Sequence, residues 1–205
     1  MLCDQHVTKM ITESIQMLCT AHRFFGNDNM PYESMNPNHR CNIWVRESTE
    51  NYRWLWRHAH ALALVAASRY GAVRSQAVTL LSRLIDAPAG VERGALTIPA
   101  AAISEPPGSP IPPEYLQAWR ESVVCFESAV VAYRQFYIQQ KSTFARWSGS
   151  APAWYIQGLR QYRLMHRLRE RDPKQPWPRG MTKPDTRLQF RSHPTLSDWR
   201  HFPNE

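Results

Sequence analysis

The stretch Cys-Asn-Ile-Trp-Val-Arg-Glu-Ser-Thr-Glu-Asn-Tyr-Arg-Trp-Leu-Trp, from Cys41 to Trp56, mixes aromatic, amide and charged side chains with no surface periodicity. Ser48 reads as a helix start: its hydroxyl can accept the backbone N–H of Asn51, and Thr49 is a close alternative cap. From there Tyr52, Leu55, Trp56, Ala59, Leu62, Ala63, Ala66 and Tyr70 recur at steps of three and four, which predicts one apolar face of a long helix. Arg46 stands just before that start, where unpaired N–H groups and the positive helix end attract a phosphate or carboxylate. The plainer reading is that Arg46 and Glu47 pair with neighbouring elements while Trp44 and the other indoles pack.

Upstream, Asp4 can cap a helix running to about Thr20, with Val7, Ile11, Ile15 and Leu18 as its buried stripe. A second face carries His6, Lys9, Glu13 and Gln16, joined by Met10 and Met17. Lys9 and Glu13 form an ordinary i,i+4 pair. Their mixture with His and two methionines suits a half-buried ionisable stripe, a setting for acid/base chemistry. Between the two helices lies a polar loop, Gly26 to Arg40, punctuated by Pro31 and Pro37; loops of this length often face a substrate.

Downstream, the long helix breaks at Gly71 and a helix from about Ala72 to Ile85 follows, carrying Leu80, Leu81 and Leu84. Residues 86–113 shift to Pro, Gly, Ala and Ser and read as an irregular connector. Helical pattern returns around Glu114 to Arg120, more strongly from Ser128, and again over Gln157 to Glu170 as a basic helix. Arg134, Tyr137 and Lys141 share one helix face, combining rings and cations as in nucleic-acid binding. From Asp172 the chain is Pro-rich and basic. The pattern predicts an all-α fold, a bundle of about five or six helices with long loops over residues 1–171, followed by an irregular tail over 172–205.

The formal charge is +8, and from Leu159 to Glu205 eleven Lys/Arg against five Asp/Glu give +6 of it. A polyanionic partner follows, with nucleic acid ahead of membrane because no broad apolar face accompanies the charge. The sequence carries no apolar run of about eighteen residues and no signal-peptide pattern at its start, so the expectation is a soluble, cytoplasmic protein. Cys3, Cys19, Cys41 and Cys125 form no CxxC pair. Reduced thiols are expected and structural zinc is not. P-loop, Rossmann, G-x-S-x-G and H-E-x-x-H patterns are missing, which lowers nucleotide, dinucleotide and zinc-protease readings.

Three segments together resemble a helical protein family of tailed bacteriophages. They are Cys3-Asp4-x-His6-Val7-x-Lys9-Met10, Cys41-x-Ile43-Trp44-x-Arg46-Glu47-Ser48-x-x-Asn51-Tyr52-x-Trp54-Leu55, and Ala132-Tyr133-Arg134-x-Phe136-Tyr137-x-x-x-Lys141. The likeness spans about Leu2 to Trp154, and its nearest association is the amino acid:DNA transferase group of thymine-hypermodification systems. Where a basic or His-rich segment is expected after Tyr70-Gly71, this chain has Ala72-Val73-Arg74-Ser75.

The resemblance implies a transferase in an infected bacterial host. It would act on 5-hydroxymethyluracil activated in DNA as a pyrophosphate ester, with an amino acid or amine displacing pyrophosphate. Such a reaction needs cations at the leaving group, a base for the amine, and a pocket for an unstacked pyrimidine. Arg46, Arg134 and Lys141 are candidate phosphate clamps. Glu13, Glu47 and His6 are candidate bases or amine-recognition groups, Trp44, Tyr52 and Tyr137 candidate stacking rings, and Asn51 a candidate reader of the base edge. No metal ligands are assigned; a scattered His/Glu metal site stays open, as does a divalent metal at the pyrophosphate, which has no sequence signature.

Two other classes fit the same residues. A base-excision or lyase enzyme would use Lys9 as a Schiff-base nucleophile with Glu13 or Glu47 nearby. A non-catalytic nucleic-acid-binding accessory protein would use the charged motifs to hold phosphates only. The oligomeric state has no sequence signal.

Overall fold

Ser48 does start the longest helix. Its Oγ accepts the Asn51 backbone N–H at 3.1 Å, and the helix then runs Thr49–Tyr70. The computed structural model of the chain describes residues 2–71, 75–100 and 124–171. Within them six helices follow one another, and no strand occurs: α1 (Asp4–Phe24), α2 (Arg40–Glu47), α3 (Thr49–Tyr70), α4 (Ser75–Ser82), α5 (Phe126–Gln140) and α6 (Ala153–Arg171). The fold is all-α. Residues 72–74, the helical pattern at 114–120 and the tail 172–205 lie outside the described residues.

Three boundaries differ from expectation. Cys3, not Asp4, takes the cap position of α1, and the helix continues past Thr20 because Ala21 and His22 extend its buried stripe. Asp4 sits inside the first turn, where its carboxylate favours the positive helix end. α2 was not expected as a helix. His39 caps it, its Nδ1 accepting the Cys41 N–H at 3.3 Å, while Asn42, Trp44 and Val45 face inward. α4 ends at Ser82, before the Ile85 that the pattern suggested, and Leu84 packs from the turn that follows it.

α1 and α3 pack antiparallel and form the principal core with α2 and α4. Val7, Ile11, Ile15 and Leu18 are buried against Leu55, Ala59, Leu62 and Ala66, the two stripes that periodicity marked. Each large aliphatic side chain so buried stabilises the fold by about 1.5–3 kcal/mol before entropy is counted. At the far end Tyr52, fully buried, donates to the Leu84 carbonyl at 2.9 Å and shares a 3.0 Å hydrogen bond with His22 Nε2. At the near end Arg69 Nη1 donates to the Asp4 carboxylate at 2.8 Å and to the Leu2 carbonyl at 3.3 Å.

α5 and α6 make a second, smaller cluster in which Tyr137, Ile138, Ala145 and Tyr155 enclose Cys3. α5 starts with a reciprocal cap between Cys125 and Ser128. Gly158 lets α6 approach closely, since a Cβ there would collide with Ile138. The hairpin joins the main core through the start of α1. Cys3 N–H donates to Tyr137 Oη at 3.0 Å, Asp4 N–H to the Arg146 carbonyl at 2.9 Å, and Ser148 Oγ to the Asp4 carboxylate at 3.4 Å. The connector through residue 100 is irregular but strapped to α3: Ser48 Oγ donates to the Ala95 carbonyl at 2.9 Å, and Thr49 N–H to the Glu92 carbonyl at 2.9 Å.

Candidate functional site

The α1 face of His6, Lys9 and Glu13 meets the end of α5 along a seam. The docking of Tyr137 on Cys3 brings this about, because it carries Lys141 and the following turn beside His6. The His6 imidazole stands edge-on to Tyr137 at 5.2 Å and to Phe144 at 5.3 Å between ring centres. Lys9 Nζ lies 3.4 Å from Glu13 Oε1, one i,i+4 step along α1. The Lys141 ammonium rests 5.1 Å from the Phe136 ring and 5.8 Å from Phe144.

Charge follows from that arrangement. Burial holds the His6 pKa below its ordinary value of 6.5, the Lys141 and Lys9 ammoniums push it the same way, and Glu13 opposes them. The imidazole is therefore neutral at pH 7 and able to take a proton. Two ammoniums beside it attract an anion, and one carboxylate can hold an amine. Arg134, three residues before Tyr137, places its guanidinium 5.3 Å from the Trp154 ring, and burial lowers its pKa. His6, Lys9, Glu13 and Lys141 thus come together, with Phe144 as a half-exposed ring and Arg134 on the flank.

The central stretch does not join them. α3 runs antiparallel to α1, so Tyr52 lies beside His22 and Arg46 over Phe24, about 24 and 27 Å along α1 from His6. Arg46 donates from Nη2 to the Pro37 carbonyl at 2.8 Å, and its guanidinium lies 4.0 Å over the Phe24 ring. It holds the 26–39 loop and is no clamp for a phosphate at the seam. Asn51 is fully buried. Its Nδ2 donates to the Trp44 carbonyl and to Thr97 Oγ1, both at 2.8 Å, and its Oδ1 accepts the Thr97 N–H at 2.9 Å. No amide edge is left to read a base.

Tyr52 and Tyr137 are buried rings with hydroxyls in internal bonds, so neither presents a face for stacking. Burial raises both phenols further above their ordinary pKa. Trp44 is buried edge-on to Trp54 at 5.7 Å. Glu47 is exposed at the α2–α3 turn, on the same distant end. Cys41, a possible nucleophile by residue type, has its thiol pushed up by burial, with Glu13 adding and Arg40 opposing. It is a poor thiolate source at neutral pH.

Phe144 carried no site role in the sequence, and Cys3 and Asp4, though they head the first quoted segment, carried none either; Arg69, with Arg74 a candidate second cationic patch, is instead paired with Asp4. The only signal of the first three was adjacency to residues that did carry one. Among the described residues no group of three or more His, Cys, Asp or Glu is placed to hold a metal ion, and no helix is long and apolar enough to cross a membrane. No family model, curated protein or solved structure matches the chain.

Proposed function

We propose that the chain is a DNA-modifying transferase whose working site is the α1–α5 seam. It attaches an amino acid or amine to pyrophosphorylated 5-hydroxymethyluracil in DNA of an infected bacterial cell. One observation carries the reading: a half-buried His6, edge-on to the exposed Phe144 ring, feels the Lys9 and Lys141 ammoniums and the Glu13 carboxylate, and its pKa is held below 6.5. Two of the three segments on which the resemblance rests, 3–10 and 132–141, supply that seam. The third is folded into the core and gives the scaffold.

In this reaction the amine nitrogen forms a bond to the C5 methylene carbon as the carbon–oxygen bond to pyrophosphate breaks. The bonding pair leaves with pyrophosphate, whose charge is countered by Lys9, Lys141 and, from the flank, Arg134. His6 takes the proton that the nitrogen loses. Glu13 is suited to hold an ammonium on the incoming amino compound, a contact that would draw it from Lys9. The lyase alternative draws less from the geometry, because Lys9 keeps 61% of its side-chain surface and a carboxylate partner. A Schiff-base lysine is usually activated by an apolar surround.

The test is incubation with DNA carrying 5-pyrophosphoryloxymethyluracil and a pool of amino acids and polyamines, read by nucleoside mass spectrometry and pyrophosphate release. An amine-linked thymidine is expected, falling by a factor of about 10²–10⁴ in His6→Ala. A folded, DNA-bound protein that yields neither adduct nor pyrophosphate overturns the transferase. Trapping of Lys9 on DNA by borohydride would put the lyase in its place.

A further inference from the structure

α6 presents a face that the seam does not use. Arg160, Arg163 and Arg167 are all exposed and follow at steps of three and four, which places them within an arc of about 60° and along about 10 Å of helix axis. The opposite face is already occupied: Tyr155 is buried, and Leu159 and Tyr162 pack into the second cluster.

No Asp or Glu occurs from Ala153 to Arg167. That separates this face from an ordinary helix surface, where opposite charges alternate. Lys9, Arg23, Arg53 and Arg69 in the first half of the molecule each have a carboxylate partner. Among the residues whose side chains are described, no carboxylate pairs with Arg160, Arg163 or Arg167; the first acidic residue of α6 is Glu170, past the last of the three. Burial raises the pKa of the Tyr155 phenol behind this face, and the Arg146 and Arg163 cations oppose that rise. The Arg146 carbonyl in turn holds the Asp4 N–H, two residues from His6.

We infer that the outer face of α6, centred on Arg160, Arg163 and Arg167, docks the phosphate backbone of a nucleic acid. Guanidinium forks match phosphate oxygens, and three of them along one exposed helix face suit the repeating phosphates of a backbone. An anionic membrane fits less well. A surface-bound helix inserts a broad apolar face, and the apolar face of α6 is taken up by α5; among the side chains described, Ile156 and Leu164 are the exposed aliphatic ones left, too few for such a face. The inference shares a polyanionic partner with the proposed transferase and none of its chemistry.

The experiment is fluorescence anisotropy of the full chain with a labelled duplex and its single strand, titrated between 50 and 200 mM salt. Replacing Arg160, Arg163 and Arg167 together by Ala should weaken binding roughly tenfold or more at the upper salt. It should also flatten the salt slope by about 2.7 on duplex or 2.1 on single strand. The triple Lys variant keeps charge and should keep the slope, which separates docking from misfolding. The assay reads binding to unmodified oligonucleotides without turnover, so a failed transferase assay leaves this result standing. An Ala variant with unchanged affinity and slope overturns the inference, as does a wild type that pellets with phosphatidylserine vesicles and leaves both oligonucleotides free.

Discussion

The stretch 41–56 and the seam formed by residues 6–13 and 134–144 draw on the same residue types and meet opposite ends. In the first, polar groups turn inward: Asn51 makes three hydrogen bonds, Arg46 lies over Phe24 and Trp44 is buried. In the second, His6 stays half-buried, Lys9 reaches solvent and Lys141 caps a helix end beside them. Aromatic and charged residues at one place in a sequence thus mark either a polar core or a working surface. What separates the two is whether the side chains are closed into the core or left at the edge of solvent.

Deleting one group from each region should expose the contrast. Asn51→Ala leaves the buried Trp44 carbonyl without its partner and cuts both bonds that tie the 86–100 segment to the start of α3 through Thr97. A loss of about 3–5 kcal/mol in denaturant-derived stability is expected. His6→Ala, whose ring makes only edge contacts, should cost under about 1 kcal/mol while removing activity. Equal losses of stability from the two would erase the distinction drawn here.

His58 extends the core side of the contrast to pH. Its ring is stacked on Trp54 at 5.2 Å, and burial lowers its pKa from 6.5 to about 4. Since the folded pKa lies below the unfolded one, the unfolded chain takes up the proton first. Stability is full above about pH 6.5 and is lost as pH falls toward 4. The loss from this group is about 2–3 kcal/mol. His58→Phe should flatten that limb of a urea-midpoint-against-pH curve; His6 and His22, also lowered by burial, leave a smaller slope behind. An unchanged limb would show that His58 is solvated in the folded state.

Tyr52→Phe is a gentler cut into the same core. It removes one hydroxyl and leaves the Leu84 carbonyl and His22 Nε2 to find other partners, for about 1–2 kcal/mol. Thermal unfolding followed by circular dichroism would read it. No change in the midpoint would mean that water already serves those groups.

What could be read in advance follows the same line. The α1 and α3 stripes and the Ser48 cap are local, set by residues three or four apart, and periodicity finds them. α2 has eight residues and a mixed face, too short for periodicity to register. Asn51 was read as a surface reader because its partner Thr97 lies 46 residues away, within a segment whose Pro and Gly content suggested only a connector. The ionisable face of His6, Lys9 and Glu13 was legible as a half-buried stripe. Its meeting with Lys141 was not, because that depends on Tyr137 docking on the Cys3 N–H across 134 residues.

That meeting leads to the smallest effect and the most direct test of the seam. If Lys141 and Glu13 both act on His6 through space, removing them must move its titration in opposite directions. Lys141→Ala takes away a cation that disfavours the imidazolium, so the His6 pKa should rise; Glu13→Gln takes away the anion that favours it, so the pKa should fall. Histidine Cε1–H chemical shifts followed against pH would resolve both. Activity should respond with the same signs, the acid limb moving up in Lys141→Ala and down in Glu13→Gln, if His6 is the base. Shifts in one direction for both variants would mean that burial alone sets His6, and that the α5 end is not held against α1.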